Sequence, residues 1–323
     1  MKSKIIGPEQ IALAARRLAE GDVVGFPTET VYGLAASMDQ NPAVRKIFAL
    51  KERPFFDPLI VHVHDFKQAQ ECVERIPAPA EHLARHFWPG PLTMVLRKRS
   101  HVDPLITSGL ETVGLRSPAH PLALALLKES GPLAAPSANK FGKTSPTTAE
   151  HVLAEFPDAG ILILDGGPCR VGIESTVVSV TDSGLTVHRP GAVTLEMMKS
   201  VLKDAFPELT YERMVSQASP GHVEHHYCPA IPLVLVRGEA NAWSGDRVAT
   251  EAGRALGQEL KTVYFLDLSQ GPAWAARVLY SEMRKGVERG ADFLAVRWEK
   301  FMCDGLWEAV EDRVTRASSL VLQ

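Results

Sequence analysis

The sequence predicts an α/β protein in two parts, a larger domain on a twisted mixed sheet followed by a small doubly wound parallel sheet. Three observations carry this. The chain has 323 residues, beyond the roughly 250 to 300 at which a single hydrophobic core stops growing. Short apolar runs of strand length alternate with segments of helical period along most of it. Between Tyr211 and Pro232 that periodicity gives way to Ser, Pro, His and Gly, the mark of a linker or a functional segment. The expected divisions are residues 1–210, a linker at 211–232, and residues 233–323.

At the N-terminus, Pro8 in a first turn, apolar positions at Ile11, Ala14, Ala15 and Leu18, and Gly21 past the end describe an amphipathic helix. The next apolar runs predict strands at 23–26, 59–63, 93–96, 113–116, 161–164 and 176–180. Helical spacing falls at 42–50, 121–128 and 147–156, with Ser145 before Pro146 as a helix cap. Beyond the linker come a strand at 233–236, a helix at 246–260, a strand at 263–268, a helix at 273–287, a strand at 293–296 and a helix at 306–317. This strict alternation implies a parallel sheet with crossover helices. There is no internal repeat.

Composition narrows the function. A hydrophobic fraction of 45% with 23% charged residues is that of a folded globular chain. Thirty-five Lys and Arg against 38 Asp and Glu give a net charge of -3, which excludes a chain-wide basic coat for nucleic acid or membrane. The cysteines at 72, 169, 228 and 303 form no CxxC pair and no disulfide framework, as suits a reducing compartment. No apolar leader opens the chain and no run of about 18 apolar residues would span a bilayer. A cytoplasmic, membrane-free protein is expected.

Several local patterns invite chemistry. Ser137-Ala-Asn-Lys-Phe-Gly142-Lys143-Thr144 resembles a phosphate-wrapping P-loop, but Ser137 replaces the first glycine that the tight turn needs. A ligand loop of another kind at a strand end is the better reading. Lys51, Arg53, Arg116 and Arg189 are isolated cations among Pro, Gly and apolar positions, where they need anionic partners, either ligands or structural acids. By contrast Arg97, Lys98 and Arg99 read as a solvated loop. His62 and His64 alternate and should share a strand face, where core packing is the commoner role. His222, His225, His226 and Cys228 lack the second ligand pair of a structural zinc site. There is no GxSxG, HExxH or GxGxxG.

Six strings occur in order: FPTETVYGL (26–34), KERPFFDPLIVHV (51–63), FWPGPLTMVL (87–96), APSANKFGKTSPT (135–147), GIESTVV (172–178) and HRPGA (188–192). With SPGHVEHHYCP (219–229), they closely resemble the YrdC-like threonylcarbamoyl-AMP synthase family in its long form, which carries a C-terminal Rossmann-like domain. The resemblance implies that L-threonine, bicarbonate or CO2, and ATP give threonylcarbamoyl-AMP and pyrophosphate, with magnesium on the phosphates. A tRNA threonylcarbamoyl transferase would take the product onward, and this step would not need tRNA itself.

It further implies that Thr30, His62, Arg116, Ser175 and the backbone at Ala135 hold threonine. Lys51, Arg53, Asp57, Thr112, Ser137, Ser145, Arg189 and Tyr227 would contact the nucleotide, and the linker carrying Tyr227 would close over the site as a lid. No side-chain nucleophile and no resident metal are implied. Two positions depart from the family pattern. Asp57 stands where Asn is common, and an ionised Asp cannot donate hydrogen bonds and adds negative charge near ATP. Glu52 replaces the Gly usual between the Lys and the Arg. The alternative from another class is an RNA-binding module, or a carbamoyl-AMP-handling protein of the same fold; the net charge and the lack of interleaved exposed aromatics weigh against an RNA binder.

Overall fold

The computed structural model describes residues 1–213, 226–238, 243–303 and 305–323. They divide into a unit of Met1–Phe141 with Pro146–His222 and a second of Gly142–Ser145 with Val223–Gln323. In the first unit the strands are β1 (Lys4–Ile6), β2 (Val24–Phe26), β3 (Gly33–Ser37), β4 (Ile60–His62), β5 (Leu92–Arg97), β6 (Thr112–Arg116), β7 (Leu133–Ala134), β8 (Leu162–Leu164), β9 (Thr176–Val180), β10 (Gly184–Arg189) and β11 (Thr210–Arg213). Its helices are α1 (Ile11–Ala19), α2 (Asn41–Lys51), α3 (Phe66–Cys72), α4 (Ala78–Phe87), α5 (Pro104–Thr107), α6 (Pro121–Ser130), α7 (Ala149–Glu155) and α8 (Leu195–Leu202).

These strands form one sheet in the order β1-β8-β2-β3-β7-β4-β6-β5-β9-β10-β11. It is mixed: β4 runs parallel to β6, while β5 runs antiparallel to β6 and parallel to β9. Helices cover it through apolar faces set by their spacing. Ala14 and Leu18 of α1 pack with Leu126 and Leu127 of α6 and Leu133 of β7. Ala43 and Ile47 of α2 join Ala149 and Val152 of α7, while Leu83 of α4 and Met198 and Leu202 of α8 fill the largest cluster with β5 and β9. Each fully buried Leu or Ile contributes about 1.5–3 kcal/mol.

The second unit contains β12 (Leu233–Arg237), α9 (Gly245–Leu256), β13 (Val263–Phe265), α10 (Pro272–Glu288), β14 (Phe293–Trp298), α11 (Leu306–Ala317) and β15 (Leu320–Leu322). Its sheet, in the order β13-β14-β12-β15, is parallel throughout. The doubly wound pattern expected from the alternation is present, with β15 added at one edge.

Three local expectations change. Ser145 does not cap α7; the cap is Thr148, whose hydroxyl accepts from the His151 amide at 3.3 Å. The helix expected to run to 260 ends at Leu256, because Gly257 takes φ +66° and closes it with a left-handed residue. His62 and His64 do not share a strand face, since β4 stops at His62; the His64 amide turns to Gln68 and its ring to Asp65, 3.2 Å away. The cap on that next helix is again a side chain, Asp65 accepting from the Gln68 amide at 3.0 Å. Of the proposed linker, residues 214–225, including His222 and His225, lie outside the described residues.

Candidate functional site

In the first unit the residues expected to hold threonine come from adjoining strands in the middle of the sheet. His62 ends β4 and Arg116 ends β6, and the two are register partners. Ala135 follows β7, its amide donating to Ile60 at 2.9 Å. Ser175 precedes β9, and Thr30 lies in the turn between β2 and β3. That turn is held by hydroxyls: Thr28 Oγ1 lies 2.9 Å from Thr30 Oγ1 and donates to the Val31 carbonyl at 2.6 Å. All five residues are buried.

His62 packs edge-on against Phe26, centroids 5.6 Å apart. Burial, reinforced by the positive charge of Arg116, holds its imidazole well below the ordinary histidine range. It is therefore a neutral ring, and its Nδ1 has no hydrogen-bond partner among the described residues. Arg116 donates from Nε to the Gly90 carbonyl at 3.3 Å and sets Nη2 2.8 Å from Glu29. Glu29 was not singled out from the sequence. The signal was there, a lone acid inside the hydroxyl-rich run Thr28-Glu29-Thr30 leading into an apolar strand.

The isolated cations meet different fates. Lys51, at the end of α2, is fully buried and donates to the carbonyls of Ser137 at 2.6 Å and of Asn139. Desolvation, with Arg53 beside it, lowers its affinity for a proton well below that of a free lysine. The Phe141 amide returns a bond to the Lys51 carbonyl at 2.8 Å, so Lys51 braces the loop bearing Ser137. Arg53 is bound by its own loop: Nε donates to the Asp57 carbonyl at 3.1 Å, Nη2 to the Pro58 carbonyl at 2.9 Å, and the Asp57 carboxylate lies 2.8 Å away. Arg189 donates to the Ser175 carbonyl at 3.1 Å and to its hydroxyl at 3.2 Å. The same hydroxyl lies 2.8 Å from Thr93 Oγ1 of β5. Thr112 begins β6, four residues before Arg116 on the same strand face. Arg97 ends β5 and pairs with Glu74 at 2.9 Å, so only part of the basic run is loop.

The stretch 137–144 is not a P-loop. The Ala138, Lys140, Phe141 and Thr144 amides donate to Tyr32, Glu155, Lys51 and Cys228, so they cannot wrap a phosphate. Glu52, between Lys51 and Arg53, adopts φ +54° as the residue closing α2, and its exposed carboxylate pairs with Lys140 at 2.6 Å.

Two of the expected nucleotide residues belong to the second unit. Ser145 is fully buried at the end of its 142–145 segment. Tyr227, at φ +67°, is 1% exposed. Its ring lies 5.8 Å from that of Tyr280, with the Arg313 guanidinium 5.6 Å from its centroid. Its carbonyl accepts from the Thr144 hydroxyl at 3.2 Å, and the neighbouring Cys228 bridges in parallel to Lys143.

A family model described as "Telomere recombination", covering the Sua5, YciO and YrdC proteins, matches residues 16–191. A second, described as "Threonylcarbamoyl-AMP synthase, C-terminal domain", matches residues 193–319. The chain belongs to the threonylcarbamoyl-AMP synthase family. It is 39% identical over 328 residues to threonylcarbamoyl-AMP synthase of Bacillus subtilis, covering 96% of this chain and 93% of that protein. The synthase of Pyrococcus abyssi is 44% identical over 232 residues, 71% of this chain and 68% of its own length. The solved structure of P. abyssi Sua5 complexed with L-threonine superposes at a TM-score of 0.87 with 33% identity, covering 100% of both chains. Of the two positions flagged from the sequence, Asp57 faces Arg53 and Glu52 closes α2. Among the described residues, no helix is long and apolar enough to cross a membrane.

Proposed function

We propose that this protein joins L-threonine, bicarbonate and ATP into threonylcarbamoyl-AMP with release of pyrophosphate. The observation that carries the reading is the central row of β4 and β6, where neutral His62 and the Arg116 guanidinium stand side by side and buried. A planar guanidinium suits the carboxylate of an amino acid, and the likeness to a relative solved with L-threonine supports that ligand. Thr30, Ser175 and the Ala135 backbone complete the threonine pocket. Arg53, Asp57, Thr112, Ser137 and Arg189 serve the nucleotide, and Lys51 serves it indirectly by shaping the Ser137 loop.

The chemistry asks little of a side-chain nucleophile. The threonine amine attacks CO2, or bicarbonate with loss of water, and gives up a proton to become a carbamate; a carbamate oxygen then attacks the α-phosphorus, and pyrophosphate leaves. Positioning, charge neutralisation and exclusion of water from a labile carbamate and mixed anhydride supply the acceleration. Magnesium travels on the phosphates as part of the substrate. The buried acids Glu29 and Asp57 face arginines rather than each other, so they are not arranged as a resident ion's donor set. The product then serves a transferase that modifies tRNA, and no tRNA is needed for this step.

The test is pyrophosphate release from α- and γ-labelled ATP. Release that requires both threonine and bicarbonate, with the α label in an AMP-linked product, is the expected result. Threonine-dependent ADP and phosphate, or tight salt-sensitive RNA binding without turnover, would overturn it.

A further inference from the structure

We propose that Glu29 and Arg116 together form a clamp for a zwitterion, Glu29 taking the α-ammonium of the amino acid while Arg116 takes its carboxylate. The inference deepens the threonine reading above and rests on it. Both side chains are at least nine-tenths buried, at 2% and 4% exposure. A buried ion pair is no better for stability than apolar packing of the same volume, so its presence beside the site calls for a use.

The pair is also incompletely bonded. Glu29 Oε2 accepts from the Ala119 amide at 2.9 Å, and Arg116 Nε donates to the Gly90 carbonyl at 3.3 Å; these bonds fix each group from behind. The facing atoms, Glu29 Oε1 and Arg116 Nη2, are 2.8 Å apart, yet neither makes a directed hydrogen bond among the described residues. One buried acceptor and one buried donor of opposite charge thus remain side by side. An amino acid offers the matching set, a donor and an acceptor of opposite charge on one carbon.

Charge accounts for the choice of ligand. A zwitterion has no net charge, so splitting the pair around it leaves neither Glu29 nor Arg116 as an uncompensated buried ion. A simple carboxylate would satisfy Arg116 and strand Glu29. The backbone carrying Glu29 is fixed as well: its carbonyl accepts from the Val171 amide at 2.8 Å, and the Thr30 carbonyl from Gly172 at 3.1 Å. The carboxylate is therefore presented from a held turn beside Thr30.

The experiment is calorimetric titration of the full chain, without ATP, with L-threonine and with the 2,3-dihydroxybutanoate of the same configuration, in which hydroxyl replaces the amine. The expected result is that wild type prefers threonine by about tenfold or more, the scale of one hydrogen bond to a charged group. Glu29→Gln, which keeps an acceptor for the Ala119 amide and leaves no buried charge to strand, should lose most of that preference while binding the hydroxy acid at least as well as wild type does. Equal loss for both ligands would mean a structural role and overturn the proposal. If Glu29→Gln does not fold, Glu29→Asp and the wild-type preference alone decide it: no preference in wild type, or an undiminished one in Glu29→Asp, sinks the clamp. Threonine binding without discrimination leaves the threonine reading standing and removes only the clamp, whereas a wild type that binds neither ligand removes both.

Discussion

The guanidinium of Arg53 and the carboxylate of Asp57 lie 2.8 Å apart, both 4% exposed, on one short loop. Asp57 thus places a negative charge on the cation that the proposed function assigns to ATP. Asp57→Asn should leave the apparent ATP constant unchanged or lower it, since the Arg53 charge is freed for phosphate. It should also lower stability by on the order of 3 kcal/mol, because the buried Arg53 loses its counter-charge. Steady-state kinetics over ATP, paired with thermal melts, checks both. Strong inactivation in a folded variant would give the carboxylate a role of its own.

Arg116→Lys should damage threonine use far more than ATP use. An ammonium cannot grip a carboxylate through two parallel bonds, nor hold Gly90 and Glu29 at once. The apparent threonine constant should rise by about 10- to 100-fold, equivalent to roughly 1.5–3 kcal/mol. A collapse in ATP affinity with threonine unaffected would reassign the residue.

The neutral state of His62 makes a prediction about pH. Its folded affinity for protons is depressed by burial and by Arg116, so below about pH 6.5 the unfolded chain binds a proton that the folded chain refuses. Stability should be complete above that pH and fall below it, with this one group contributing up to about 1.4 kcal/mol per unit. Denaturant melts from pH 8 to 5 should show a shallower decline in His62→Gln. Identical slopes would place the acid sensitivity elsewhere.

Glu52 closes α2 at φ +54°, a left-handed conformation that suits glycine. Glu52→Gly removes the side-chain strain and loses only a surface pair with Lys140. The melting temperature should stay level or rise by about 2–4 °C, and the ATP constant should change little. A marked fall in stability would show that the Lys140 contact matters more than the backbone.

Tyr227 separates packing from ligand contact. Tyr227→Phe keeps the ring beside Tyr280 and Arg313 and should alter stability by less than about 0.5 kcal/mol. If the hydroxyl reaches the nucleotide, the ATP constant should rise about 2- to 10-fold. Tyr227→Ala should cost about 3–5 kcal/mol through the lost ring. An unchanged ATP constant in Tyr227→Phe would confine this residue to the second unit.

Much of this was legible because the elements carry their own punctuation. The helix at 306–317 and the strand at 176–180 fall where period and flanking residues put them. β3 was not, since Gly-Leu-Ala-Ala-Ser has no β-branched residue, and β7 is only two residues long; both owe their conformation to neighbours in the sheet. The cations Lys51, Arg53, Arg116 and Arg189 stood out against apolar surroundings, but sequence could not say what each faces. Arg53 and Arg116 meet acids, while Lys51 and Arg189 meet carbonyls. Glu29 escaped notice because its partner lies 87 positions away along the chain, and only register between β4 and β6 and the turn after β2 brings them together.

The strand order of the larger sheet also sets a timetable for synthesis. β1 pairs with β8, β3 with β7 and β5 with β9, so Lys4 waits for Leu162 and Leu92 for Thr176. At about 5–20 residues per second on the ribosome, the N-terminal strand is exposed for on the order of ten seconds or more before its neighbour exists. Such distant pairings make for slow folding. Nascent chains stopped before Leu162 would therefore leave β1 and one edge of β2 without the strand that joins them, open to chaperones and to one another.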